Sequence, residues 1–308
     1  MPVTEVKACT AVVPLDKVTA FSTRVVQNRE YSLVRVRDEN GLEGIGFCYG
    51  GSRGGHLATL AVRELLRHHV VGRDPNQVEA IWEDMFRESL LQGRRGSVLR
   101  AISAVDNALW DLRAKQVGLP LYQLLGACRQ GTVPAYASGG YYLEGKTPEH
   151  LAQEVYNYVQ MGFTAVKIKV GRLSPQDDAV RVRACREAIG PKVQLFLDAN
   201  NAWNDVPSAV RAIRTFERYD PGWIEEPLMP DDIQGHAAIA AAVDTPVATG
   251  EIHATRWDFA QLIEQRAAEI LQPDAAVCGG ITEWRRIAAL AASHGVPLAP
   301  HWFADLHV

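Results

Sequence analysis

The segment Thr164-Ala-Val-Lys-Ile-Lys169 is a short apolar run that ends on a charged side chain, and the second half of the chain repeats this design every 23 to 29 residues. The side chains that end the six runs are Lys169, Asp198, Glu225, Glu251, Asp274 and His301. One strand, one helix and two short loops need about that many residues, because parallel strands require a helical crossover. Polar groups at the ends of successive strands face one end of a (β/α) barrel, where such enzymes keep their active sites. The repeat therefore predicts a barrel enzyme.

The composition narrows the class of protein further. The 308 residues carry a formal net charge of -4, which argues against a binding surface for nucleic acid or for an anionic membrane. No apolar run approaches the length of a membrane span, and the N-terminus lacks the basic and apolar regions of a signal peptide. The 5 cysteines are scattered without CxxC spacing, which argues against a disulfide framework or a zinc site. We predict a cytoplasmic homo-oligomer that acts on a small molecule.

The pattern of elements changes near residue 130. Residues 1–130 predict an α+β capping domain, in which a β-meander over residues 3–48 is followed by helices. Asp74-Pro75 predicts the start of one of these helices. From residue 133 strands and helices alternate, and residues 133–138 are predicted to form the first strand. Seven strands can be counted before residue 301, so we expect the barrel domain, residues 131–308, to lack its last strand and the C-terminal segment.

Three carboxylates on consecutive predicted strands point to a metal site. Asp198, Glu225 and Glu251 offer only oxygen ligands, and such a set suits Mg²⁺. Each acid alone could simply cap the following helix, but that explanation is poor for all three together. Strand alternation sends only one of Glu225 and Glu226 inward, and the residues alone do not decide which.

Two further pairs carry acid–base chemistry. Lys167 and Lys169 point to the same side of one strand, where apolar neighbours argue for burial rather than a solvated face. A neighbouring cation lowers a lysine pKa towards neutrality, so one of the two is expected to be a usable base. Asp274 and His301 end successive strands, and a carboxylate on one imidazole nitrogen makes the other nitrogen more basic. His301 alone could instead be an ordinary strand-end histidine.

Taken in order, the motifs Lys-x-Lys, Asp-x-Asn, Ile-Glu-Glu-Pro, Gly-Glu, Gln-Pro-Asp and Pro-His resemble the enolase superfamily, specifically its mandelate racemase subgroup. The helical segment 100–112, followed by Gly118-Leu-Pro-Leu121, is similar to the capping domain of that family. The resemblance covers nearly the whole chain. It implies an α/β fold, namely a (β/α) barrel of the enolase type with an N-terminal α+β capping domain.

The resemblance also implies roles for individual side chains. Asp198, Glu225 and Glu251 would bind Mg²⁺, with Glu226 as the fallback for Glu225. Lys169 would be one acid–base group and His301, paired with Asp274, the opposing one, while Lys167 would assist the substrate carboxylate. Enzymes of this type use a lysine or histidine base with Mg²⁺ that stabilises an ene-diolate. The family places a further electrophile on the eighth strand, after the last residue printed here.

The loops that would cover the site are polar, whereas racemases of the subgroup favour an apolar lid. The polar side chains of the first loop are Lys17, Thr19, Ser22, Thr23 and Arg24, and the second loop is Tyr49-Gly-Gly-Ser-Arg-Gly-Gly55. Such loops offer donors to a polyhydroxylated or dianionic ligand, although ordinary surface chemistry would explain them as well. We predict that Arg24, Tyr49 and Asn200 contact the substrate.

These observations favour Mg²⁺-dependent removal of the proton α to a carboxylate. Dehydration of an acid sugar, an aldonate or aldarate, to a 2-keto-3-deoxy acid is preferred because of the polar lid. The first alternative is a racemase or epimerase of a 2-hydroxy acid, in which Lys169 and His301 act on opposite faces. The second alternative is a non-catalytic barrel that binds acids or a metal.

Overall fold

A computed structural model of the chain describes residues 1–126 and 132–307. The first half begins with three strands, β1 Val3–Ala20, β2 Val25–Asp38 and β3 Glu43–Tyr49. They pair antiparallel in the order β1-β2-β3, which is the predicted meander. Four helices follow, α1 Gly55–Ala61, α2 Val78–Glu88, α3 Gly96–Gln116 and α4 Leu121–Leu124. Asp74 accepts a hydrogen bond from the amide of Asn76, with Pro75 in the first turn, so the predicted helix start is present.

The longest helix lies directly on the meander because the strand facing it carries glycines. A β-carbon built at Gly44 would lie 2.0 Å from the carbonyl oxygen of Ala108, and one at Gly46 would lie 2.0 Å from that of Ala104. The alternation Glu43-Gly-Ile-Gly-Phe47 thus puts two positions without side chains on the face that contacts α3. This contact gives the N-terminal half its own apolar core.

The second half alternates strands and helices. The strands are β4 Ala137–Ser138, β5 Ala165–Lys169, β6 Gln194–Asp198, β7 Trp223–Glu225, β8 Val247–Thr249 and β9 Ile270–Leu271. The helices are α5 Pro148–Gln160, α6 Pro175–Ile189, α7 Val206–Phe216, α8 Ile233–Ala240, α9 Thr255–Glu264, α10 Gly280–Ser293 and α11 Ala304–His307. Every strand pair is parallel and the strand order follows the chain order, as in a (β/α) barrel.

Two details differ from the predicted strands. The first strand covers only residues 137 and 138 rather than 133–138, because only these two pair with β5. The seventh predicted strand is reduced to a single parallel bridge between Leu271 and Leu298. The proposed domain boundary at residue 130 falls within 127–131, outside the described residues, as does Cys128. In the part of the chain that the structure describes, no helix is both long and apolar enough to cross a membrane.

The two halves meet where α3 covers the beginning of α10. The hydroxyl of Ser103 accepts from the amide of Gly279 at 3.0 Å, and Asn107 accepts from the amide of Ile281 at 3.0 Å. Asp106 accepts from the amide of Thr282 at 2.9 Å. One face of α3 therefore caps the first turn of a barrel helix, whose free amides need partners when they are buried. Asn107 also donates to the carbonyl oxygen of Ala275, next to Asp274, so this interface supports the site.

Asp106→Ala is expected to lower the free energy of unfolding by about 2–4 kcal/mol, because it leaves the buried amide and hydroxyl of Thr282 without their acceptor. Urea denaturation followed by circular dichroism measures this loss. Lys192→Ala, at an exposed position outside this interface, is the control and should change stability by less than about 0.5 kcal/mol. Equal stability of the two variants would contradict the capping role of Asp106.

Candidate active site

Three carboxylates converge at the carboxyl ends of β6, β7 and β8. Asp198 and Glu225 are the last residues of their strands, and Glu251 lies two residues beyond β8. One carboxylate oxygen from each lies within 4.8 Å of the others, as ligands of a single ion would. Asp198 and Glu225 are fully buried. The adjacent strand ends bring these side chains together, as the regular spacing along the chain predicted.

Lys167 and Lys169 enter the cluster from β5. The ammonium of Lys167 lies 2.6 Å and 2.7 Å from the two carboxylate oxygens of Glu225 and 3.6 Å from Asp198. The ammonium of Lys169 donates to Asp198 Oδ2. Both lysines are buried, at 3% and 7% exposure. Their common side of the strand, predicted from their spacing, is observed.

The prediction that one of the two lysines has a lowered pKa is wrong for the protein without a bound cation. Burial, the largest single effect, and the neighbouring Lys167 both lower the pKa of Lys169, but Asp198, together with Tyr141 and Glu225, outweighs them, so the pKa is raised. Burial likewise lowers the pKa of Lys167, and Glu225 raises it well above the ordinary lysine value. The prediction counted the neighbouring cation and left out the carboxylates in direct contact.

Glu226 adds a fourth buried carboxylate. It is 1% exposed, and neither of its carboxylate oxygens has a hydrogen-bond partner among the described residues. Burial and then the negative charge of Glu251 raise its pKa well above the usual value. Its φ of 45° lies in the left-handed region, so the chain leaves the regular strand at this residue. The expectation that only one of Glu225 and Glu226 is turned inward is therefore wrong, because alternation does not hold beyond the strand end.

The carboxyl groups of the cluster outnumber its lysine ammonium groups. Four carboxyl groups share the cluster with two lysine ammonium groups, and the raised pKa of Glu226 indicates that these ammonium groups supply too little positive charge to keep all four carboxyls ionised. The donors that converge are all hard oxygens, the kind that Mg²⁺ prefers. The orphaned oxygens of Glu226 also indicate a site that protein donors do not complete. Asp198, Glu225 and Glu251 thus fit a hard divalent cation.

His301 reaches the cluster from the other end. Its Nδ1 lies 2.9 Å from Asp274 Oδ2, and its Nε2 lies 3.1 Å from Glu251 Oε2. Burial lowers the pKa of His301, but Glu251 and Asp274 outweigh it, so the pKa is raised. The predicted pairing of Asp274 with His301 is present in the geometry. Lys169 contacts the Asp198 end of the cluster and His301 the Glu251 end.

The three predicted substrate contacts lie around the cluster at different depths. Asn200 is buried, with its backbone amide donating to Asp198 Oδ1 at 3.0 Å and its side-chain oxygen without a partner among the described residues. Arg24 is exposed and lies close enough to lower the pKa of Glu226 and of Tyr49. Tyr49 stacks edge-on against Trp302 at 5.1 Å. Whether these residues contact a substrate stays a prediction.

The loop between β1 and β2 closes over the end of β6. The hydroxyl of Ser22 donates to the carbonyl oxygen of Ala199, and that of Thr23 donates to the carbonyl oxygen of Asn200 at 3.0 Å. These carbonyls directly follow Asp198 in the chain. The capping half therefore touches the barrel backbone beside the carboxylate cluster.

Sequence reasoning missed several residues that hold the cluster. The side-chain amide of Gln272 donates to Glu225 Oε2 at 2.7 Å, and the indole of Trp223 lies 3.2 Å from the same oxygen. Trp223 precedes Glu225 by two positions within β7, a spacing that puts both on one face of the strand, so this signal was available for Trp223. Gln272 lies beyond the end of β9, where alternation gives no such signal. The rings of Tyr136 and Tyr141, beside Lys167 and Lys169, had no comparable signal.

Comparison with protein families covers both halves of the chain. Residues 3–126 match the family model described as the N-terminal domain of mandelate racemase / muconate lactonizing enzyme. Residues 150–308 match the model described as enolase C-terminal domain-like. The match agrees with the resemblance read from the motifs and with the predicted fold.

Curated relatives of the chain are enzymes of acid-sugar metabolism. The chain is 39% identical over 276 residues to L-talarate/galactarate dehydratase of Salmonella typhimurium, covering 90% of this chain and 68% of the relative. It is 35% identical to arabinonate dehydratase of Saccharolobus solfataricus, covering 89% of this chain and 73% of the relative. A solved structure described as a racemase from Streptomyces coelicolor with bound magnesium superposes with a TM-score of 0.94 at 34% identity, covering 99% of this chain and 85% of that one. Relatives of this kind favour an enzyme over the non-catalytic barrel.

Proposed function

The chain belongs to the mandelate racemase / muconate lactonizing enzyme family of the enolase superfamily, and from the geometry of its site we propose that it dehydrates an acid sugar to a 2-keto-3-deoxy acid. The observation that carries the proposal is the position of two proton-transfer groups at opposite ends of one carboxylate cluster. Curated relatives named as dehydratases of galactarate and arabinonate support the same reaction class.

The first step is proton removal next to the carboxylate. Lys169, as the neutral amine, takes the proton from C2, and the electron pair that is left spreads into the carboxylate as an enediolate. Lys167, whose ammonium contacts both carboxylate oxygens of Glu225, stabilises the growing negative charge by a hydrogen bond from that ammonium. A cation held by Asp198 would weaken the contact of this carboxylate with the Lys169 ammonium and so favour the neutral amine, since Asp198 helps to raise the pKa of Lys169.

The second step is loss of the hydroxyl at C3. The enediolate pushes its electron pair into the C2–C3 bond, the C3–O bond breaks, and His301 Nε2 supplies the proton that lets the group leave as water. Asp274 holds Nδ1 and stabilises the protonated ring before the transfer. The resulting enol takes up a proton at C3 and becomes the 2-keto acid. The sum is one acid sugar converted to one keto acid and one water.

Mg²⁺ fits the oxygen donors of Asp198, Glu225 and Glu251 and, when bound, supplies positive charge to the substrate carboxylate. Gln272 and Trp223 donate to Glu225 and so keep its orientation as a ligand.

The proposal is tested by incubating the Mg²⁺-loaded protein with a panel of aldonic and aldaric acids and measuring keto-acid formation. Polarimetry on mandelate-like 2-hydroxy acids runs in parallel. We expect keto acid from at least one sugar acid and loss of the signal on chelation with EDTA. Racemisation without any keto acid from the whole panel would contradict dehydration and favour the second candidate.

That second candidate, a racemase or epimerase of a 2-hydroxy acid, is supported by the same pair of groups. Lys169 contacts Asp198 and His301 contacts Glu251, so the two could deliver and remove protons at one carbon from opposite sides. The polar loops over the site favour the dehydratase instead.

A further inference from the structure

A cationic cavity lies beside the carboxylate cluster, separated from it by one aromatic ring. The cavity has a volume of about 410 Å³. Its lining includes Asp16, Lys17, Arg29, Tyr141, Lys146 and Glu154. The ring of Tyr141 lies 5.5 Å from the ammonium of Lys169, so one residue borders both the cavity and a proposed proton-transfer group.

Arg29 links the cavity to the other end of the cluster. Its guanidinium lies 4.5 Å from the ring centre of Trp302. Trp302 lies 5.8 Å from the ring of His301, its neighbour in the chain. The Trp302 ring therefore separates Arg29 from His301, and the Tyr141 ring separates the cavity from Lys169. Lys169 thus borders Tyr141, which lines the cavity together with Arg29, and His301 borders Trp302, which contacts Arg29 directly.

In the part of the chain that the structure describes, the charge of Arg29 faces an aromatic ring and has no carboxylate partner. Lys146 forms an ion pair with Glu154, but among the described residues no carboxylate lies within ion-pair distance of Arg29. The Arg29 guanidinium lies over the Trp302 ring, and a guanidinium in such a contact can still offer N–H donors to another partner. Those donors match the two oxygens of a carboxylate in a bidentate pair. With Lys17 and Asp16 also on the wall, the cavity keeps an excess of one positive charge.

From this arrangement we propose that Arg29 binds a second anionic group at the far end of the substrate, so that the preferred substrate is an acid sugar with an anion at both ends. The inference rests on the proposed function, because it assigns the distal end of the same molecule. The Trp302 ring lies 5.8 Å from the His301 ring and 4.5 Å from the guanidinium of Arg29, so Arg29 lies on the side of the cluster towards which the distal end of a substrate held at His301 can extend. A neutral hydroxymethyl end would give Arg29 no charged partner. A terminal carboxylate and a terminal phosphate share the required chemistry, and the carboxylate fits the bidentate edge best.

The test compares galactarate, galactonate and galactonate 6-phosphate, which differ only at C6. We expect the wild-type enzyme to have the highest kcat/KM on galactarate. Arg29→Met, which removes the charge and keeps the length, should lower kcat/KM for galactarate by about 10- to 100-fold and change that for galactonate by less than about 3-fold. Arg29→Lys should recover part of the loss. Preference for the phosphate instead would identify the terminal anion as phosphate and still support the role of Arg29.

Arg35→Met is the matched control. Arg35 lies on the same strand but forms ion pairs with Glu5 and Glu43, away from the cavity. It should leave the ratio of the two substrates unchanged. An equal loss on galactarate and galactonate in Arg29→Met, or a wild-type preference for galactonate, would overturn the inference.

Failure of the proposed function is distinguishable from failure of this inference. If the wild type forms no keto acid from any sugar acid, the dehydratase proposal is wrong, and calorimetry then decides the role of Arg29. Binding of galactarate to the Mg²⁺-loaded wild type, at least about 10-fold tighter than binding of galactonate and lost in Arg29→Met, would support the anion site. Equal affinities for both acids would contradict it.

Discussion

Lys169→Ala is expected to abolish exchange of the α-proton with D₂O from one configuration at C2, lowering its rate by about 10²- to 10⁴-fold. His301→Asn should do so from the other configuration. The physical reason is that Lys169 lies at the Asp198 end of the carboxylate cluster and His301 at the Glu251 end. Proton NMR on 2-hydroxy or sugar acids of each configuration measures the exchange without knowledge of the physiological product.

Two further variants sharpen this experiment. Asp274→Asn should follow His301→Asn in direction with a smaller loss, because Asp274 holds Nδ1 and does not itself move the α-proton. Lys192→Ala, which removes an exposed lysine outside the site, should leave both rates unchanged. Equal loss from both configurations in His301→Asn would mean that the two groups do not act from opposite sides.

Glu251→Gln is expected to weaken Mg²⁺ binding by at least about 10-fold and to lower turnover with it. The substitution keeps the shape of the side chain but removes one of the negative charges that balance the cation. It also replaces the carboxylate oxygen that faces His301 Nε2 at 3.1 Å. Titration calorimetry with Mg²⁺ gives the affinity directly.

The control for this variant is Glu264→Gln, which makes the same chemical change at an exposed position on α9. It should bind Mg²⁺ as the wild type does. Circular dichroism checks that both variants are folded. Unchanged Mg²⁺ affinity in Glu251→Gln would show that Glu251 is not a ligand, and the cation would then have to rely on Asp198, Glu225 and Glu226.

The barrel and the cluster could be predicted from sequence because each depends on a local rule that repeats. Apolar runs at regular spacing predict parallel strands, and parallel strands end at one edge of a sheet. Asp198, Glu225 and Glu251 could therefore be grouped without knowing a single distance. Asp74-Pro75 predicted a helix start because its cap lies within three residues. Prediction failed where strand alternation stops. Glu226 follows the last residue of β7 and has a positive φ, so it is buried like Glu225 although alternation predicted only one of the two to be turned inward.

Tertiary structure alone decided the environment of each charged group. One of Lys167 and Lys169 was expected to have a lowered pKa, but Lys169 contacts the Asp198 carboxylate, which is 29 residues away in the chain and helps to raise its pKa. The stacking of Arg29 on Trp302 joins the first strands to the last residues of the chain, and no periodicity links them. The sequence by itself determined which side chains end the barrel strands, because strand spacing and alternation are properties of the local backbone. Which charges touch, and which charge is left for a ligand, depends on distances between distant segments, because Coulomb energies and burial are set by three-dimensional packing.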